Sequence, residues 1–167
     1  PDLNGSVLKH ASLVQKGKVD IKLDENILSA TAYKFQKDST LIPGSRQDLS
    51  SSVNNGRLKC NLGDTARRVI IVYTEKLVPS YDPMHPKSGE AYNKYFFGKF
   101  EEALPGQSSD ALNFFFSDEL NFRVSGNLWN LYFSDEFRKR KGYDLIPYLD
   151  ALYANTGPDA PMIRFEY

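Results

Sequence analysis

Residues Phe114-Phe115-Phe116-Ser117-Asp118-Glu119 hold the chain's most chemically suggestive pattern, a run of bulky apolar side chains that stops at two adjacent carboxylates. Such a run reads as a strand buried on both faces. Acids where a buried strand emerges are held rigidly beside low-dielectric walls, and the carboxyl ends of strands are where sites sit in α/β folds. Successive strand residues point to opposite faces, so one of Asp118 and Glu119 faces any given cleft. The plainer alternative is a strand end followed by a solvated acidic turn.

Other chemistry is sparse. Cys60 is the only cysteine, which excludes an intramolecular disulfide and a cysteine-based zinc site. The two histidines, His10 and His85, are far apart and lack metal-ligand spacing. Lys and Arg number 21, as do Asp and Glu, so no electrostatic footprint for nucleic acid or an anionic membrane is present. No apolar run reaches the roughly 20 residues that cross a bilayer. The chain starts at Pro1 without a signal peptide and reads as a mature or excised segment. Ten Tyr, eleven Phe and one Trp supply core, and their apolar faces would also suit sugar rings at a cleft edge.

The elements that must position the acids change character near residue 80. Val19–Leu23, Ile27–Phe35, Leu58–Leu62 and Arg68–Tyr73 carry alternating or β-branched patterns. Pro43-Gly44 and Asn54-Asn55-Gly56 are turn signals between them. Residues 1–75 are therefore expected to form a small antiparallel β unit ending in a core strand. Beyond it, Gly89–Leu104 places Tyr92, Tyr95, Phe96, Phe100 and Leu104 at helical spacing, with Ser88 as N-cap and Pro105-Gly106 as stop. Leu112–Ser117 follows as a strand, then a loop over Asn121–Asn127. Leu131–Arg140 reads as a helix with acids near its start, bases near its end and Gly142 as terminator. Leu145–Tyr153 is a short helix with Pro147 in its first turn and Asp144 as cap.

Strand, helix, strand, helix over 68–140 is a β-α-β-α unit, for which parallel strands with right-handed crossovers are the default. Its open edges call for the remainder of a longer polypeptide or a second copy to complete the sheet, or for the β unit to cover an edge.

Phe115–Glu119, Trp129 and Asp135–Leu149 (DEFRKRKGYDLIPYL) together resemble a stretch of bacterial glycoside hydrolases, the α-L-rhamnosidase-like enzymes of glycoside hydrolase family 106 and their uncharacterised relatives. In these, an apolar strand ends in Asp-Ser or Asp-Glu, a Trp follows, and a helix of similar composition comes next. The resemblance covers most of the chain and is strongest over residues 90–153. It implies an α/β fold, part of a (β/α)8-type barrel preceded by the small antiparallel β unit, with 76–167 as a β/α segment of the catalytic domain. A whole barrel needs roughly 250 residues, so this chain would be a piece of one.

The activity implied is hydrolysis of plant or microbial polysaccharide, inverting and calcium-dependent in characterised members, in a secreted or periplasmic protein. Two carboxyl groups flank the scissile bond in such chemistry, about 6.5–9.5 Å apart for inversion and about 5–5.5 Å for retention. Glu119 is the expected general acid, kept protonated by a partly apolar cleft, with Asp118 as its structural or metal-binding neighbour. Some relatives carry Asp-Ser-x-Glu, with the Glu at the position of Asn121 here. Asn121 is therefore grouped with Glu75 and Trp129 as residues that would contact the sugar. Glu75 would serve as a second carboxylate or a sugar-hydroxyl acceptor, against the plainer reading of a surface acid; Trp129 would stack on a sugar, against a core or helix-entry role. Calcium rests on the resemblance alone, since no EF-hand-like loop exists here. A non-catalytic carbohydrate-binding or structural domain is the alternative reading.

Overall fold

A computed structural model describes residues 3–23, 26–104, 106 and 126–167, with backbone alone for 78–81 and 131. The centre of the molecule is strand β7 (Arg67–Tyr81), whose β-branched run is covered on both faces. Ile70 and Val72 point into one core, and Val69 and Ile71 into another. Neighbouring residues on a strand alternate faces, so each half of the run serves a different layer.

Around β7 lies a five-stranded sheet in the order β4-β3-β7-β1-β8. Here β1 is Asn4–Gln15, β3 is Asn26–Tyr33, β4 is Gln47–Asp48 and β8 is Asn127–Trp129. A smaller sheet, β2-β6-β5, is formed by Lys18–Lys22, Arg57–Asn61 and Val53–Asn54. Asn55 and Gly56 join β5 to β6 with φ of 49° and 70°, the paired left-handed turn whose twist matches a hairpin. Val19 and Leu58 of the small sheet pack on Ala30, Ala32, Val69 and Ile71 of the large one.

The opposite face is covered by a helical layer. It comprises α3 (Leu131–Lys141), a 3₁₀ turn (Ile146–Leu152) and α4 (Ala160–Glu166). Phe137, Leu145, Leu149 and Ile163 there meet Leu8, Tyr33, Ile70 and Val72. Gly142 ends α3 at φ 81°, and its N–H reaches the Arg138 carbonyl, as the sequence leads one to expect.

The pairing corrects the expected barrel. β7 runs antiparallel to both β1 and β3, and β8 runs antiparallel to β1. Among the described residues there is no closed barrel and no β/α repeat; two antiparallel sheets and short helices take their place. The physical reason lies in the double burial of β7. A strand covered on both faces loses its alternation whether helices or a second sheet do the covering, and here a second sheet covers one side. The expected strand at Leu112–Ser117 lies outside the described residues.

Two further differences are local. β7 continues past Pro79 because the ladder slips: Ser6 faces Lys76 while Asn4 faces Tyr81. Proline is tolerated at such an irregularity, since no ladder N–H is demanded of it. The helix over Ser88–Ala103 is built from α1 (Ser88–Tyr92), a π-helical turn (Asn93–Phe97) and α2 (Gly98–Ala103). Its aromatic stripe is not core: Tyr92, Tyr95, Phe96 and Phe100 are all exposed. The Tyr92 and Phe96 rings stack on each other at 5.4 Å.

Candidate functional site

β7 and β8 are both antiparallel to the strand between them, so they run in the same direction and their carboxyl ends emerge together beside Gly5 of β1. Asp82 follows β7 and Asn130 follows β8. The Asp82 N–H donates to the Leu3 carbonyl at 2.8 Å, which seals the chain against the start of β1.

The Asp82 carboxylate is buried, and both its oxygens are used. One accepts the Met84 N–H at 2.9 Å, and the other accepts the Asn130 side-chain amide at 2.8 Å. The Asn130 carbonyl oxygen accepts the Phe133 N–H at 2.7 Å, which caps α3. One asparagine thus satisfies a buried charge and a helix terminus at once, and this fixes which way its amide points. The Ser88 hydroxyl donates to the Asp82 carbonyl, anchoring the start of α1 to the same corner.

His85 and Tyr132 stand on the outer side of this corner. The His85 Nδ1 accepts the Lys87 N–H at 3.1 Å, so the neutral ring carries its proton on Nε2. Its ring meets Tyr132 edge to face at 5.1 Å, and Tyr132 is about half exposed. The corner is a braced carboxylate with an imidazole and a phenol beside it, able to hold polar ligand groups. Each Asp82 oxygen accepts one hydrogen bond, which fixes the carboxylate in place.

A second buried carboxylate, Asp150, sits in the 3₁₀ turn. It accepts from the Tyr33 hydroxyl and, at 3.2 Å, from Thr31, and Arg46 lies 3.5 Å away. Arg46 also donates to the Pro147 carbonyl. Burial, then the neighbouring Asp150 charge, pushes the Tyr33 phenol well above the ordinary tyrosine range. With three side chains from two segments, Thr31 and Tyr33 of β3 and Arg46 beyond it, converging on it, Asp150 locks the helical layer to the sheet.

Of the residues singled out in the sequence, Glu75 and Trp129 are described. Asp118, Glu119 and Asn121 lie outside the described residues. Glu75 is exposed and lies in mid-strand opposite Val7, because β7 runs on to Tyr81, past the β-branched pattern that ends at Tyr73. Trp129 is 3% exposed and packs on Phe133 at 5.5 Å, so it serves the core. Asp82, Asn130 and Asp150 escaped the sequence reading. Asp82-Pro83 after a β-branched run and Asn130 before a helical one are the signals that could have found the first two.

No family model, no curated protein and no solved structure matches this chain. Among the described residues no group of three or more His, Cys, Asp or Glu side chains could hold a metal ion. A calcium ion takes six to eight oxygens, and with no such cluster to supply them the described residues do not fit that ion. No helix among them is long and apolar enough to cross a membrane.

Proposed function

We propose that the chain is a segment of a carbohydrate-active glycoside hydrolase of α-L-rhamnosidase-like type, with Glu119 as general acid and Asp118 beside it. The observation that carries this reading is the residue pattern itself: the apolar run ending in Asp118-Glu119, then Trp129, then the Glu136–Leu152 stretch. Asn121 is the nearby side chain suited to a sugar hydroxyl. The second carboxyl group of the pair comes from elsewhere in the full enzyme or from a residue near Glu119. A polysaccharide substrate goes with a secreted or periplasmic location.

Hydrolysis of a panel of aryl glycosides, aryl α-L-rhamnoside included, tests the proposal by comparing wild type with Glu119→Gln. Loss of a general acid slows such reactions by about 100-fold or more. An inactive wild type, or an unchanged rate in the variant, overturns the catalytic assignment for this segment.

One observation favours a second reading, a non-catalytic carbohydrate-binding or structural domain. The two buried carboxylates among the described residues, Asp82 and Asp150, are both engaged in bracing the fold. Saturable sugar binding without hydrolysis would select that reading.

A further inference from the structure

The helical layer carries a groove of about 300 Å³ between α3 and the end of α4. That volume lies at the lower end of the range for small-molecule sites, on the scale of a single ring. Its walls are the rings of Phe133, Phe137 and Tyr167, with Phe133 and Tyr167 edge to face at 5.2 Å. Tyr167 is fixed by its hydroxyl, which donates to the Leu128 carbonyl of β8. The aromatic walls are thus tied to the sheet below.

The rim is charged, and its acids are paired. Arg140 lies 3.2 Å from Glu136, and Lys141 lies 3.6 Å from Glu166. The Tyr143 hydroxyl donates to the other Glu166 oxygen at 2.6 Å. The hydrogen bond from Arg140 holds the Glu136 carboxyl below the usual carboxylate range, so it remains an acceptor. Lys139 also lies 3.5 Å from Glu136, so each rim acid is paired with a base and neither carboxylate is left to hold a cation. What the groove offers is an apolar wall on one side and fixed donors and acceptors on the other. A pyranose has the matching division, with C–H groups on its faces and hydroxyls around its edge.

We propose that this groove binds one neutral pyranose ring of a carbohydrate, with a C–H face against Phe133 and Tyr167 and hydroxyls toward Glu136 and Arg140. The proposal rests on the carbohydrate reading above and gives that reading a binding site built from described residues.

The test is an amide-resolved NMR titration of the full chain with L-rhamnose, D-glucose and D-galactose, with cyclohexanol as the control of similar size and no hydroxyl ring. The expected result is saturable shifts centred on Phe133, Arg140 and Tyr167 for at least one sugar. Arg140→Ala should weaken that binding about tenfold or more, as loss of a hydrogen bond to a charged group does. Arg140 is 76% exposed, so the variant should fold. No saturable shift with any sugar, equal shifts with cyclohexanol, or unchanged affinity in Arg140→Ala overturns the proposal. Glu119→Gln separates the two readings. Groove binding without Glu119-dependent hydrolysis removes the catalytic reading alone, and Glu119-dependent hydrolysis without groove binding removes this one alone.

Discussion

At the residue scale, one side chain bears unusual weight. Asn130 caps α3 and neutralises the hydrogen-bonding demand of the buried Asp82. Asn130→Ala removes a cap and strips a partner from a buried charge, so we expect a loss of about 2–4 kcal/mol in urea-unfolding stability. Asn130→Asp keeps the cap oxygen but sets a second carboxylate against Asp82. It should therefore be no more stable than Asn130→Ala, and an Asp variant as stable as wild type would sink this account. The tyrosines give a pH prediction. Burial, then the Glu166 hydrogen bond, pushes the Tyr143 phenol up to about 12, and burial raises Tyr33 and Tyr167 further. A folded value raised above the unfolded one favours the protonated form in the fold. Its stabilisation is complete below about pH 10 and disappears as pH rises toward 12. Ultraviolet titration should show these phenols ionising late, together with loss of structure.

At the element scale, the stop of α3 and the double burial of β7 can each be broken by one change. Gly142 at φ 81° has a backbone that a Cβ disfavours, so Gly142→Ala should cost about 1 kcal/mol. Ile71 is fully buried between the sheets, and Ile71→Ala should cost about 2–5 kcal/mol. Phe165, which is 90% exposed on α4, should tolerate Ser within about 0.5 kcal/mol in the same assay. Several elements were legible from local pattern. The sequence reading placed β2, β3, β6, α3 and the Asn55-Gly56 turn close to where they lie: β2, β6 and α3 keep an exposed face, β3 is a β-rich run, and the turn has its required residues. β1 was not legible. Val7 and Leu8 at its start are buried on opposite faces, while Leu13 and Val14 near its end are exposed, so neither alternation nor a continuous apolar run appears. β8 is too short to carry a period at all, and its Trp129 looks the same whether it meets a core or a sugar.

At the scale of the whole molecule, pairing is long-range. β1 joins β7 and β8, so the first strand of the sheet waits for residues 67–81 and 127–129 before it is satisfied. Chain closure over such separations slows folding, and refolding in the millisecond-to-second range is expected by stopped flow. Deleting residues 3–15 would leave β8 without its partner and expose an edge of β7, and a cooperative unfolding transition should be lost.

The sequence by itself determined where β2, β3, β6, the start of β7 and α3 lie, where α3 ends and which run is buried on both faces. It also supplied the carbohydrate-hydrolase reading, which rests on residue identities around Glu119. Only the tertiary structure decided that β7 pairs antiparallel on both sides, that a second sheet covers one of its faces, and that Asp82 and Asn130 meet at the ends of two strands. Element type follows from local periodicity. Strand direction, the nature of the covering layer and the partners of a buried carboxylate are set by segments far apart in the chain, and no local pattern encodes them.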